Sequence, residues 1–252
     1  MKKILIYVDE GAGPQSVRFL IKTLRKEGID QQYQVVRINQ DVLKEQDWEK
    51  QTALVIFPGG RDVAYHLALK GKGNQKIRDY VENGGRYLGL CAGGYYGCSS
   101  VEFEMGYPLE VVGKRELAFF PGIARGPAYG SNQFSYENES GSRAAYVDWV
   151  GREKAVLPCI LYFNGGCEFV DVARYPNTEV LAHYQDIPNR PAAIIQCEIG
   201  KGRAILSGVH PEYPSSFLEA LQENALDLTS RLREIEECRT FVFTAILHRL
   251  LL

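Results

Sequence analysis

The chain has no long hydrophobic run. Met1-Lys2-Lys3 precedes the apolar stretch Ile4 to Val8, but that stretch is too short for a signal peptide and Asp9-Glu10 end it. It reads instead as a first buried strand. Phe241 to Leu252 is the other apolar stretch, and His248 and Arg249 interrupt it well short of the ~20 residues that span a bilayer. No membrane partner is expected, and the expected location is cytoplasmic. An excess of one charge is also lacking: Lys+Arg number 29 and Asp+Glu 31, a formal net charge of -2. That balance gives no basic field to draw in nucleic acid, so the expected partner is a small molecule or another protein. None of the cysteines pairs as CxxC, and their spacing suits no zinc site. Neither a metal nor a cofactor is expected. Gly11-Ala12-Gly13 has no third glycine and no following GK[ST], which argues against a nucleotide loop. It reads as a turn bordering a pocket, with Asp9 or Glu10 facing in. Internal repeats and low-complexity linkers are missing too.

What is present is the alternation of an α/β protein. A length of 252 residues suits one large domain spanning 1–252. Ile4 to Val8, Val35 to Ile38, Ala53 to Phe57 and Arg86 to Leu90 read as strands. Between them, Pro14 opens a helix carrying Val17, Leu20, Ile21 and Leu24 at helical spacing, and Gly28 ends it. Asn74 reads as the N-cap of a later helix, with Ile77, Tyr80 and Val81 as its apolar stripe and Gly84 as its stop. Alternating strands and helices predict a mainly parallel central sheet with helices on both faces. Ligands then bind beyond the carboxyl ends of the strands.

The middle, about 107–191, has a different texture. Gly, Pro, Tyr and Asn are common there, and short β-like runs occur at Leu117 to Phe120, Ile160 to Phe163 and Val180 to Tyr184. This predicts an additional β-rich portion with long loops. Ala192 to Ile199 and Ala204 to Val209 flank Gly200-Lys201-Gly202, a hairpin signal, and Ser216 with Glu219 forms a capping box for a C-terminal helix.

Three segments carry chemistry. Gly89-Leu90-Cys91-Ala92-Gly93-Gly94 follows a strand and opens a helix. Glycines two before and two after the cysteine give a nucleophile elbow with Cys in place of Ser. A helix N-terminus behind the sulfur favours the reactive thiolate. Phe57-Pro58-Gly59-Gly60 places a Gly-Gly turn at another strand end, where an N–H of Gly59 or Gly60 can pair with that of Ala92 as an oxyanion hole. His210-Pro211-Glu212 supplies a base and its orienting acid two residues apart, on one side of an extended segment. The other histidines, His66, His183 and His248, have no such context. Cys98, Cys159, Cys167, Cys197 and Cys238 read as small buried hydrophobes.

A PGG turn, a GxCxG elbow and a later HPE, in that order, resemble the class I glutamine amidotransferase superfamily. Phe120-Pro121-Gly122, Arg125-Gly126-Pro127-Ala128 and Asn164-Gly165-Gly166 narrow the resemblance to the amidotransferase-like domain at the N-terminus of biotin protein ligases, which also occurs as a stand-alone protein. The resemblance implies a flavodoxin-like, class I amidotransferase sandwich. It makes Cys91, His210 and Glu212 a catalytic triad. Gly59, Gly60, Ala92 and Gly94 become oxyanion or substrate positions, with Asn164, Gly165 and Gly166 lining the pocket. It implies an amidase or glutamine amidotransferase acting on a small amide, or else a non-catalytic binding or regulatory module with a ligase-like protein partner. The run Gly93-Gly94-Tyr95-Tyr96 departs from the superfamily, where a Gln commonly follows the elbow. A related cysteine hydrolase of similar fold fits less well, because there a His usually follows the nucleophile at once and here Ala92 does.

Overall fold

The computed structural model describes residues 1–151, 155–219 and 228–252. Its first third alternates as expected: β1 (Lys3–Tyr7), α1 (Pro14–Lys26), β2 (Gln34–Ile38), α2 (Gln40–Glu45), β3 (Thr52–Phe57), α3 (Asp62–Leu69), α4 (Lys72–Glu82) and β4 (Arg86–Leu90). A short α5 (Ala92–Tyr96) leads into β5 (Cys98–Phe103), β6 (Val111–Lys114), β7 (Phe120–Gly126), β8 (Ser142–Val150), β9 (Val156–Asn164), β10 (Glu168–Phe169) and β11 (Thr178–Tyr184). The hairpin β12 (Ala192–Ile199) and β13 (Gly202–Ser207) precedes α6 (Ser216–Glu219) and α7 (Leu228–Leu251).

One continuous sheet holds the strands. Its parallel half runs β2-β1-β3-β4-β13. Strand β12 reverses direction beside β13, and most of the remaining pairings are antiparallel. The inner parallel strands β1, β3 and β4 are mostly apolar because both faces are covered, whereas the edge strand β2 exposes Gln34 and Arg37. Ile4 and Ile6 point toward Val17, Leu20 and Leu24 of α1 and toward Val242, Phe243 and Ile246 of α7. Leu5 and Tyr7 point the other way, toward Leu43, Tyr65, Ile77 and Tyr96 of the α2–α5 layer. The period-two alternation of one strand thus feeds two cores. The antiparallel half extends the sheet past the carboxyl ends of β3 and β4, and β9 ends beside the loop after β13, where Tyr162 and His210 bridge.

Several expectations are corrected. The β-rich portion begins at β5, immediately after α5 and before residue 107. Of Leu117 to Phe120, only Phe120 enters a strand. Asn74 is not a cap: it lies in the first turn of α4, is buried, and its side chain bonds Glu116 and Tyr96. A buried amide with two partners outweighs its capping preference. Cys159 and Cys238 are not isolated hydrophobes but a disulfide, joining β9 to α7 across a separation of 79 residues. The Glu219 side chain of the expected capping box lies outside the described residues.

Candidate active site

The elbow forms because three backbones crowd one point. Cys91 caps α5 with φ 49 and ψ -102, a left-handed conformation that L-residues avoid. Its N–H donates to Ser207 O at 2.8 Å, which fixes the turn to the end of β13. A Cβ on Gly89 would sit 2.2 Å from Gly93 O, and one on Gly93 would sit 2.1 Å from Phe57 O. Glycine is required at both by contact, and the strained backbone in between aims the Cys91 side chain outward. Cys91 Sγ lies 3.6 Å from Asn164 O, so the β9 end sits directly over the sulfur.

His210 reaches that sulfur from the other side. His210 N–H donates to Tyr162 O at 2.9 Å, which sets the segment's register. The His210 ring hydrogen-bonds Cys91 and donates from Nδ1 to Glu212 Oε1 at 2.7 Å. Glu212 is fully buried and His210 nearly so. Burial disfavours a charged imidazole, but the charges of Glu212 and Cys91 and the hydrogen bonds to both outweigh it, pushing His210 up to about 10. The ring therefore carries its second proton at neutral pH. It packs against Tyr213 at 4.7 Å between centroids, and a Cβ on Gly59 would lie 2.6 Å from its Cε1.

These groups open on a cavity of about 270 Å³. Cys91, His210, Gly59, Gly60, Ala92, Asn164 and Gly165 line it. Gly94 and Gly166 do not. A Cβ on Gly94 would meet Ser207 O at 2.7 Å, and one on Gly166 would meet Gly208 O at 1.7 Å, so both glycines serve close backbone packing. The two oxyanion alternatives also separate. The Gly59 N–H donates to Ser16 Oγ at 2.9 Å, whereas Gly60, at φ 149, lines the cavity with Ala92. Gly13 borders the cavity as expected of the Gly-Ala-Gly turn, but Asp9 faces away and accepts from the Gln40 N–H at 3.1 Å.

The sequence matches one family. Residues 2–252 match the family described as biotin-protein ligase, N terminal. The chain belongs to that family. An uncharacterized protein of Chlamydia muridarum is 41% identical over 230 residues, 90% of this chain and 86% of that one. A biotin–protein ligase of Schizosaccharomyces pombe is 42% identical over 178 residues, 70% of this chain. The chain spans only 28% of that ligase's length. A ThuA-like protein from Bacteroides uniformis shares the fold at 14% identity, with a TM-score of 0.50 over 83% of this chain and 82% of that one.

In this member of the ligase N-terminal family, the sequence left several pocket residues unmarked. Ser16 Oγ donates to Glu212 Oε1 at 2.9 Å while accepting from the Gly59 N–H, so one hydroxyl ties the acid to the PGG turn. It lies in the loop-to-helix junction that the Gly-Ala-Gly turn had flagged, although nothing local distinguished it. Tyr213, next to Glu212, stacks on Tyr162 at 4.4 Å and 3°, forming one wall. Residues 134–139 cover the cavity, and Glu139 accepts from Tyr162 and Asn164. Asp62 lies at the cavity's inner side, paired with Arg115 at 2.7 Å, and burial raises its pKa despite that partner.

Proposed function

We propose that this protein is a cysteine-dependent amidase of the glutamine-amidotransferase-like kind, built as one flavodoxin-like domain over 1–252 and working in the cytoplasm on a small amide. The observation that carries the reading is His210, buried and held between Cys91 and Glu212 at the foot of the cavity. With its proton held on His210, Cys91 Sγ attacks the amide carbonyl carbon as the thiolate, and the carbonyl oxygen takes up negative charge beside the Gly60 and Ala92 N–H groups. The tetrahedral adduct collapses as the C–N bond breaks. His210 gives its proton to the leaving amine, and Glu212 steadies the ring through both steps. A water then adds to the thioester, its proton passing to His210, and the acid leaves as the S–C bond breaks, which restores the thiolate beside the protonated His210.

A volume of about 270 Å³ limits the substrate to roughly amino-acid size. Ammonia release from a panel of small primary amides tests the reading. Turnover that disappears in Cys91→Ala, with folding unchanged, is expected. Tyr95 and Tyr96 stand where the superfamily commonly has a Gln, and Tyr95 donates to Gly165 O at 3.0 Å, which favours a second reading as a binding or regulatory module. Ligand binding that persists unaltered in Cys91→Ser, with no amide hydrolysed by the natural protein, would select that module.

A further inference from the structure

The charge around the cavity is one-sided. Asp62, Glu137 and Glu139 line it, and among the described residues no Lys or Arg does. Asp62 is matched by Arg115, and the lining cation His210 is matched by Glu212. Glu137 and Glu139, both on the exposed side, are left uncompensated. Glu139 is also held in place. Its Oε2 accepts from Tyr162 Oη and from Asn164 Nδ2 at 3.2 Å, and its Oε1 has no partner among the described residues. The backbone carbonyl of Asn164 lies against Cys91 Sγ while its side-chain amide donates to Glu139, so one residue links Cys91 to the acidic wall.

The rest of the wall is aromatic. Tyr213 is 6% exposed, lines the cavity, and its hydroxyl has no hydrogen-bond partner among the described residues. Tyr136 already holds a guanidinium, with Arg61 Cζ 4.3 Å from its ring centroid. Ring faces beside a fixed carboxylate favour a cation. A ligand carboxylate would meet Glu137 and Glu139, while the basic groups nearby are already engaged, Arg61 on the Tyr136 ring and His210 by Glu212.

We propose that the cavity selects a small amide whose far end is a cation, an ammonium or guanidinium, and which carries no free carboxylate. This rests on the amidase reading for where the amide sits. The cationic end lies against Glu139 and the Tyr162–Tyr213 wall, with Glu137 adding to the field.

A matched set of N-substituted chloroacetamides tests it, bearing 2-aminoethyl, 2-hydroxyethyl or carboxymethyl groups. Each alkylates a thiol by the same displacement: the S–C bond forms, C–Cl breaks and chloride leaves. Second-order rates at Cys91 are read by mass spectrometry and divided by those of mercaptoethanol. The charge of His210 by itself favours the anionic reagent, so a preference for the cation has to come from the wall. The expected order is amine, hydroxyl, carboxylate, with at least a ~10-fold span, weakening as salt is raised. In Glu137→Gln/Glu139→Gln the preference for the amine is expected to be lost or to reverse toward the carboxylate, and Glu137→Gln alone, which breaks no contact with Tyr162 or Asn164, is expected to narrow it partly. Equal rates for all three reagents at Cys91, or a preference for the carboxylate, would overturn the cationic assignment and leave the amidase reading standing. No modification of Cys91 by any of them would remove the amidase reading itself.

Discussion

At Cys91 the chain holds a non-glycine residue in a left-handed conformation, φ 49, that costs about 1–2 kcal/mol. Crowding by Phe57, Gly93 and Ser207 holds it there, so the strain is offset by packing that also aims the sulfur. Ser16 is the residue-scale counterpart on the acid side. Removing its hydroxyl in Ser16→Ala takes a bond from Glu212 and leaves the Gly59 N–H unpaired. A fall in Cys91 alkylation rate of about 10-fold is expected, at a cost of about 1–3 kcal/mol in urea titrations. An unaltered rate would show that Ser16 positions nothing. His210 gives a pH signature. Its folded pKa is raised to about 10, against an unfolded value near ~6.5. The folded state therefore binds the extra proton more tightly, and its contribution is complete below ~6.5 and is lost as pH rises toward ~10. In Cys91→Ala, where no sulfur titrates against the ring, stability is expected to fall as pH rises between ~7 and ~8.5, by at most about 1.4 kcal/mol per pH unit. Urea midpoints that stay flat across that window would contradict a charged His210.

At the scale of elements, the elbow is a three-way junction of β3, β4 and β13 with α5. Gly93→Ala would put a methyl 2.1 Å from Phe57 O, backbone that has no room to move. We expect a loss of at least ~3 kcal/mol in thermal or urea unfolding. A near-neutral result would mean that the junction is looser than these contacts. This junction was legible in the sequence because each of its parts is local: a strand, a glycine pair, a helix start. His210 was legible for a similar reason, since the β12–β13 hairpin points at it and Glu212 follows two residues on. Ser16 was not, because its bond to Glu212 joins positions 196 apart and a serine near a helix start reads first as a cap. Gly94 and Gly166 misled for the opposite reason. They sit within recognisable motifs, yet their missing side chains make room for carbonyls of Ser207 and Gly208 rather than for a ligand. The aromatic and acidic wall was hidden in a loop whose composition resembles any loop.

The whole molecule is a parallel half that supplies Cys91 and an antiparallel half that closes over it. Helix α7 lies against β9 and ties the halves together. Cys238 bonds Cys159, and next to it Arg239 donates to Pro211 O at 2.6 Å, between His210 and Glu212. Apolar surroundings made each cysteine look like core, and only the tertiary path of α7 shows that they meet. Four thiols are expected to titrate in the unfolded, unreduced protein and six after reduction. Cys159→Ser is expected to cost about 2–4 kcal/mol, as the closed loop is long. Six thiols without reductant would rule the bridge out. Among the described residues no helix is long and apolar enough to cross a membrane.

The central claim is that Cys91 is a nucleophile activated by His210. Its most direct test is the alkylation rate of Cys91 by neutral chloroacetamide, read by peptide mass spectrometry in the natural protein and in His210→Asn. The account predicts one rapid adduct, on Cys91, slowed about 100-fold in the variant while folding is retained. Equal rates in the two proteins, or preferential modification of Cys98, Cys167 or Cys197, would contradict it.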